Sequence, residues 1–105
     1  MRVDGQRFAI LVGVEVQDHE GYARYRAEMT PILGEYSGRF EYDMIVSDVL
    51  KSPVSARFNR VFTISFPSQD DRVRFFSDDR YKAVRAQHFE PAVSDVVTMA
   101  EFASG

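Results

Sequence analysis

Phe8 to Val16 reads FAILVGVEV, an apolar run whose single charge is Glu15. In an extended chain, Phe8, Ile10, Val12, Val14 and Val16 share one face, and Ala9, Leu11, Gly13 and Glu15 share the other. Both faces are largely apolar, so the run is expected to be a central strand covered on both sides rather than an edge. Every other expectation about this chain depends on where that strand finds its neighbours.

The next stretch supplies a helix. Asp18 is placed to cap it, and Tyr22, Tyr25, Met29, Ile32, Leu33 and Tyr36 recur at steps of three and four. Pro31 interrupts the stripe and, in a regular helix, costs about 3 kcal/mol, so a kink or break is expected near Thr30. Ser37-Gly38 marks the helix end. A second strand is expected from Arg39 to Leu50, with Phe40, Tyr42, Met44 and Val46 alternating against Glu41, Asp43, Ile45 and Ser47. Its polar fraction suggests a sheet edge. After a turn at 51–56, a third strand spans Arg57 to Phe66, with Phe58, Phe62, Ile64 and Phe66 on one face. The two strands form a tight hairpin.

Ser68 and Asp71 fit a capping box for a short helix carrying Val73 and Phe76. Asp78-Asp79 starts another, with Tyr81, Val84, Arg85 and His88, and Pro91 ends it. The last strand, Ser94 to Phe102, alternates Val96, Thr98, Ala100 and Phe102 against Val97, Met99 and Glu101. The order β-α-β-β-α-β implies an α+β, ferredoxin-like fold: a four-stranded antiparallel sheet with its helices on one face, in one domain spanning residues 1–105. The other face would then expose Leu11, Val61, Val97 and Met99. Burying each such side chain is worth roughly 1.5–3 kcal/mol, so a second sheet packed face to face in a two-fold homodimer is expected.

Composition excludes several functions. The formal net charge is −3 and the pI about 5.3, and no basic stripe is present, so nucleic acid is not an expected partner. The chain has no cysteine, which removes disulfides, thiol catalysis and thiolate-held metals. Asp18-His19-Glu20 has a metal-like composition, but adjacent residues on a turn point apart, so no metal is expected. The apolar run is too short to cross a bilayer, and a cytoplasmic protein with no membrane partner is expected. A phosphate loop, a dinucleotide fingerprint and a nucleophile elbow are all missing.

Several short patterns then recur in order: Gly21-Tyr22 with Tyr25, the mid-helix Pro31, Tyr36-Ser37-Gly38-Arg39-Phe40, Phe66-Pro67-Ser68, and Asp79 and Tyr81 followed by Arg85. Together they resemble domain-of-unknown-function family 1330, small bacterial proteins of the dimeric α+β barrel superfamily. The likeness spans nearly the whole chain. It implies a homodimer and no established reaction; related barrels include cofactor-free monooxygenases, muconolactone isomerase and haem-binding members. The chain departs from the family pattern at Ser37, where glycine is usual, at Ser65, where an acid is usual, and at His88, where another basic residue is usual.

Arg39 offers a planar fork suited to a carboxylate, or else an ion pair with Glu35 or Glu41. His88 shares a helical face with Tyr81 and Arg85 and is a candidate base or orienting group, or else a packed histidine. Glu15 points to the sheet's other face and is either a buried functional carboxylate or a strand-end residue reaching solvent. Tyr22, Tyr25, Tyr36 and Tyr81 either line a ligand pocket between helices and sheet or are core. Three functions follow. The leading one is a small dimeric protein binding a carboxylate or aromatic ligand without a cofactor. The alternatives are a cofactor-free enzyme of the monooxygenase or isomerase kind and a protein-interaction module.

Overall fold

A computed structural model describes residues 6–104. The strands are β1 (Arg7–Val16), β2 (Arg39–Ile45), β3 (Arg60–Phe66) and β4 (Val93–Ser104). The helices are α1 (His19–Glu35), α2 (Gln69–Ser77) and α3 (Asp79–Val84). After α3 the chain continues without a break through a π-helical turn, Arg85–Phe89, and a last α-turn, Glu90–Ala92. The sheet order is β2-β3-β1-β4, with every neighbouring pair antiparallel. This is the ferredoxin-like arrangement the sequence implies, with β1 at the centre.

The inner face of β1 (Ile10, Val12, Val14 and Val16) joins Phe62, Ile64 and Phe66 of β3 in a core closed by Tyr22, Tyr25, Met29 and Leu33 of α1, Phe75 of α2 and Tyr81 of α3. The helix starts use the capping groups expected. Asp18 accepts from the Gly21 amide at 3.1 Å, and Ser68 accepts from the Asp71 amide at 3.1 Å while its hydroxyl donates to the Asp71 carboxylate at 2.8 Å. The helix runs unbroken through Pro31, against the expectation of a break, and the Thr30 hydroxyl donates to the Arg26 carbonyl beneath it at 2.5 Å. Pro91 lies near the end of this continuous helix, which closes one residue later at Ala92.

The end of α1 demands particular backbone. The Gly38 amide donates to the Leu33 carbonyl and the Ser37 amide to the Gly34 carbonyl, both at 3.0 Å. This is the paired closure in which the residue after the helix turns left-handed. Here that residue is Ser37, at φ 57°. Gly38 itself admits no side chain: a Cβ would lie 2.3 Å from Leu33 Cδ1 and 2.8 Å from Phe66 Cε1.

The edge strands differ from simple alternation. In β2 the pairing shifts between Phe40 and Asp43, so both residues face the helices, opposite Ile64 and Phe62. In β4 it shifts between the partners of Leu11 and Val12, so Thr98 pairs with Val12 but Ala100 with Leu11. Met99 is the extra residue. Beyond it the faces exchange: Glu101 joins the helix side opposite Ile10, and Phe102 joins the other side opposite Ala9. Bulges at sheet edges bend the strand and discourage further pairing.

The expected tight hairpin is instead closed by a long loop, 46–59. Strand β2 stops at Ile45 rather than Leu50, and Phe58 leaves the Phe62 face to lie over Gly13 on the opposite side of the sheet, where a Cβ would come within 3.1 Å of it. Asn59 makes this possible. Its side chain accepts from the Val16 amide at 2.8 Å and donates to the Val16 carbonyl at 3.0 Å, while its own amide donates to Val14 O at 2.9 Å. With Phe58 and this loop above it, Val61 is buried, and the outer face is less bare than expected.

Replacing Gly38 with Ala drives a methyl group into Leu33 and Phe66. Urea denaturation should show a loss of about 1–3 kcal/mol, the usual cost of overpacking, with Ser37→Gly moving stability the other way because it relieves the left-handed serine.

Candidate functional site

The layer between helices and sheet opens to solvent along β4, where Val96 and Thr98 are exposed on the helix side. A cavity of about 260 Å³ lies against β1, β3 and β4, lined by Val12, Ile64, Phe62 and Thr98 from the sheet and by Tyr25, Met29, Arg72, Phe76, Tyr81, Arg85 and Phe89 from the helices. Its walls are mostly aromatic and aliphatic, with a few convergent polar groups, the usual make-up of a small-molecule site.

Two buried phenols face each other there, with the hydroxyls of Tyr25 and Tyr81 2.9 Å apart. Burial raises the pKa of both phenols, strongly for Tyr25, and the positive charge of Arg85 opposes the rise. Both therefore stay protonated near neutrality and act as hydrogen-bond donors and acceptors, not as bases. Phe89 packs on Tyr25 at 4.9 Å between ring centroids and Phe75 on Tyr81 at 4.3 Å, which fixes the ring positions.

The π-helical turn sets the third side. The Glu90 amide reaches back to the Arg85 carbonyl, one residue farther than in an α-helix. This widened turn presents both Arg85 and Phe89 to the cavity, with the guanidinium 4.8 Å from the Phe89 ring centre. Turns of this kind frequently occur at functional sites. Arg85 also pairs with Glu90 at 3.2 Å. The second cation, Arg72 of α2, is paired with Glu101 of β4. Among the residues lining the cavity are two arginines and no carboxylate or imidazole.

Of the residues singled out in the sequence, Tyr25 and Tyr81 line this cavity. Tyr22 is buried beside them but accepts a hydrogen bond from Arg26 Nε at 2.9 Å, within the group that ties α1 to β2. There Asp43 accepts from Arg60 Nε and Nη2, at 2.9 and 2.8 Å, and Arg26 lies 3.8 Å over Phe40. Arg39 stands elsewhere: it pairs with Ser65 on the outer face, is exposed, and meets Glu41 at 3.2 Å, the ion-pair reading of that residue. His88 turns toward α1, where its Nε2 lies 2.8 Å from Glu28 Oε2, close but not aligned as a hydrogen bond. The π-turn breaks the helical phase on which a shared Tyr81, Arg85 and His88 face rested. Glu15 is half-buried on the outer face, opposite Asp95 and beside Val46, Phe58 and Asn59 of the loop. Among the described residues no group of His, Asp and Glu is arranged to hold a metal ion.

Sequence reasoning missed Arg72 and the role of Arg85. Arg72 sits in a helix start that reads as surface charge, and a π-turn has no plain sequence signal.

Tyr81 owes its position to Asp78, which caps α3 through the Arg80 and Tyr81 amides at 2.8 and 3.3 Å and accepts from the Tyr36 hydroxyl at 2.6 Å. Arg80 binds Asp78 at 3.0 Å and spans to both Glu35 oxygens. The Arg80 guanidinium, helped at Asp78 by the Tyr36 hydroxyl, holds both carboxyls below their usual range.

Residues 8–102 match the family described as Domain of unknown function (DUF1330). No curated protein matches the chain. A solved protein of unknown function from Rhodopseudomonas palustris is 20% identical, with a TM-score of 0.77 over 91% of this chain and 80% of that one. A dimeric ferredoxin-like protein of unknown function from Thermobifida fusca is 10% identical, with a TM-score of 0.60 over 99% of this chain and 96% of that one. A putative antibiotic biosynthesis monooxygenase from Nitrosomonas europaea is 14% identical, with a TM-score of 0.51 over 100% of this chain and 94% of that one.

Because the folded state lowers the pKa of Asp78 and of Glu35, their stabilisation is complete above the ordinary carboxylate range near pH 4 and is lost as pH falls through the depressed values. Thermal melts from pH 7 down to pH 2 should show Asp78→Asn losing less stability on acidification than the parent. With the cavity and its flanking pairs in view, the match over residues 8–102 settles the lineage: this chain belongs to the DUF1330 family.

Proposed function

We propose that this protein is a homodimer that binds a compact organic anion, an aromatic or short aliphatic carboxylate, in the cavity between helices and sheet. The observation that carries this reading is the composition of that cavity: an apolar chamber with two paired phenols and two arginines and no acid among its lining residues. An arginine fork matches a carboxylate geometrically, and an apolar wall strengthens the attraction. At about 260 Å³ the space lies just below the range usual for drug-sized ligands, roughly 300–1,000 Å³, so a single ring or a short chain fits.

A binding role is favoured over acid–base catalysis. Both tyrosines hold their protons, and the cavity lining has no group that ionises near neutral pH. Arg85 and Arg72 take the anchoring role first given to Arg39 and His88. The resemblance in fold to a putative monooxygenase keeps the enzymatic alternative as a different use of the same chamber, since one fold hosts many reactions.

The dimer rests on shape. The chain forms a slab 43 × 33 × 17 Å with a radius of gyration of 14.2 Å, against about 13 Å for a compact chain of this length. Leu11 and Val97 are only half-buried on its outer face, and Met44, Met99 and Phe102 are exposed there. A second copy set sheet to sheet covers them, and dimeric ferredoxin-like proteins are among the structural neighbours.

Screening benzoates, phenols and short carboxylates by thermal shift should give a hit that raises Tm by several degrees at a hundredfold excess over Kd, equivalent to about 2.7 kcal/mol. Arg85→Ala should abolish it, and neutral amide analogues should fail. A hit indifferent to Arg85, or hits only among amides, rejects the anion reading. Sedimentation of the parent should give twice the 12.0 kDa chain mass, and Leu11→Glu should give monomers; a monomeric parent rejects the dimer.

A further inference from the structure

Arg72 occupies an unusual place. It borders the inner cavity, a hollow of about 360 Å³ at the sheet edge lined by Phe8, Gln69 and Phe102, and a shallow groove beside Val73 and Ser77 on α2. Its partner Glu101 lines the edge hollow and the groove but not the inner cavity. The ion pair between them therefore stands where the chamber meets the outside, and it spans from α2 to the edge strand β4.

Glu101 reaches that position only because of the Met99 bulge. With regular alternation it would share the outer face with Val97, away from the helices. The extra residue returns it to the inner side opposite Ile10. A bulge gives up regular ladder pairing and re-aims the side chains beyond it, and here the one charged side chain it re-aims is placed on Arg72. The pair is only partly screened from water, with Arg72 24% and Glu101 54% exposed, so it can open without burying a bare charge.

We propose that Glu101 is the specificity-determining residue of the chamber: a built-in counter-ion that competes with an incoming carboxylate for Arg72, so that an anion enters at the α2–β4 edge by displacing it. This inference rests on the anion-binding reading above. Glu101 sets a threshold, because a neutral molecule gains nothing by displacing it, whereas an anion exchanges one carboxylate for another on the same guanidinium. Its removal raises access for anions in particular and leaves neutral molecules of equal size as they were.

The absence of cysteine from the chain makes a direct test available. Val12 lines the chamber, so Val12→Cys places the sole thiol inside it. Its rate of modification is then measured with a neutral reagent, methyl methanethiosulfonate, and with its anionic counterpart, 2-sulfonatoethyl methanethiosulfonate. The ratio of the two rates cancels any change in the thiol's own reactivity. In the Val12→Cys background, Glu101→Gln should raise the anionic-to-neutral ratio at least fivefold, and Arg72→Met should lower it by a similar factor. A ratio unchanged by Glu101→Gln, while both reagents still react, overturns the proposal and leaves the chamber reading standing. Failure of both reagents to reach the introduced thiol in every variant overturns both.

Discussion

The helices of this protein can cover only one side of β1. That strand is paired along both edges, and its Ile10, Val12 and Val14 side chains fill the floor of the helix layer. Its other side carries Ala9, Leu11, Gly13 and Glu15, and nothing in a two-layer chain can match the helices there. The loop 46–59 brings Phe58 over Gly13, and Arg7 lies across the same side, donating to the Ser65 hydroxyl at 2.8 Å and to its carbonyl at 3.0 Å. These are partial covers for the half of the strand left without a layer.

The fold was legible because the sheet's middle obeys simple rules. β1 and the 60–66 part of β3 alternate without interruption, and their helices begin at Asp18, Ser68 and Asp78, residues whose short side chains accept backbone hydrogen bonds. The edges were less legible because a bulge has no side-chain signature. Phe40, Asp43, Thr98 and Glu101 lie on faces that strict alternation does not assign together. A single extra residue inverts everything beyond it, so one unseen bulge in β4 misplaces Glu101 and Phe102 at once.

The candidate site divides in the same way. Tyr25 and Tyr81 were visible because a tyrosine at helical spacing either packs or lines a pocket, and these two do both. Arg39 attracted attention from its place after a glycine in the family pattern, yet it projects from an edge strand on the outer face. Arg72 was hidden because an arginine in the first turns of a polar helix reads as solvated charge. Its significance comes from a partner twenty-nine residues later in the chain, brought opposite by the sheet. Local spacing carries no information about such a meeting.

Asn59 has a wider consequence. Its amide side chain has the same donor and acceptor as a peptide group, and at Val16 it serves as one more rung of the ladder after the strand has ended. The register of β3 against β1 is thereby clamped at the very residue where the chain departs. The segment from 47 to 57 is consequently insulated: it can lengthen, shorten or change its composition without sliding the sheet beneath it. A family that inherits such a clamp has a place to diversify one surface while its chamber stays in register.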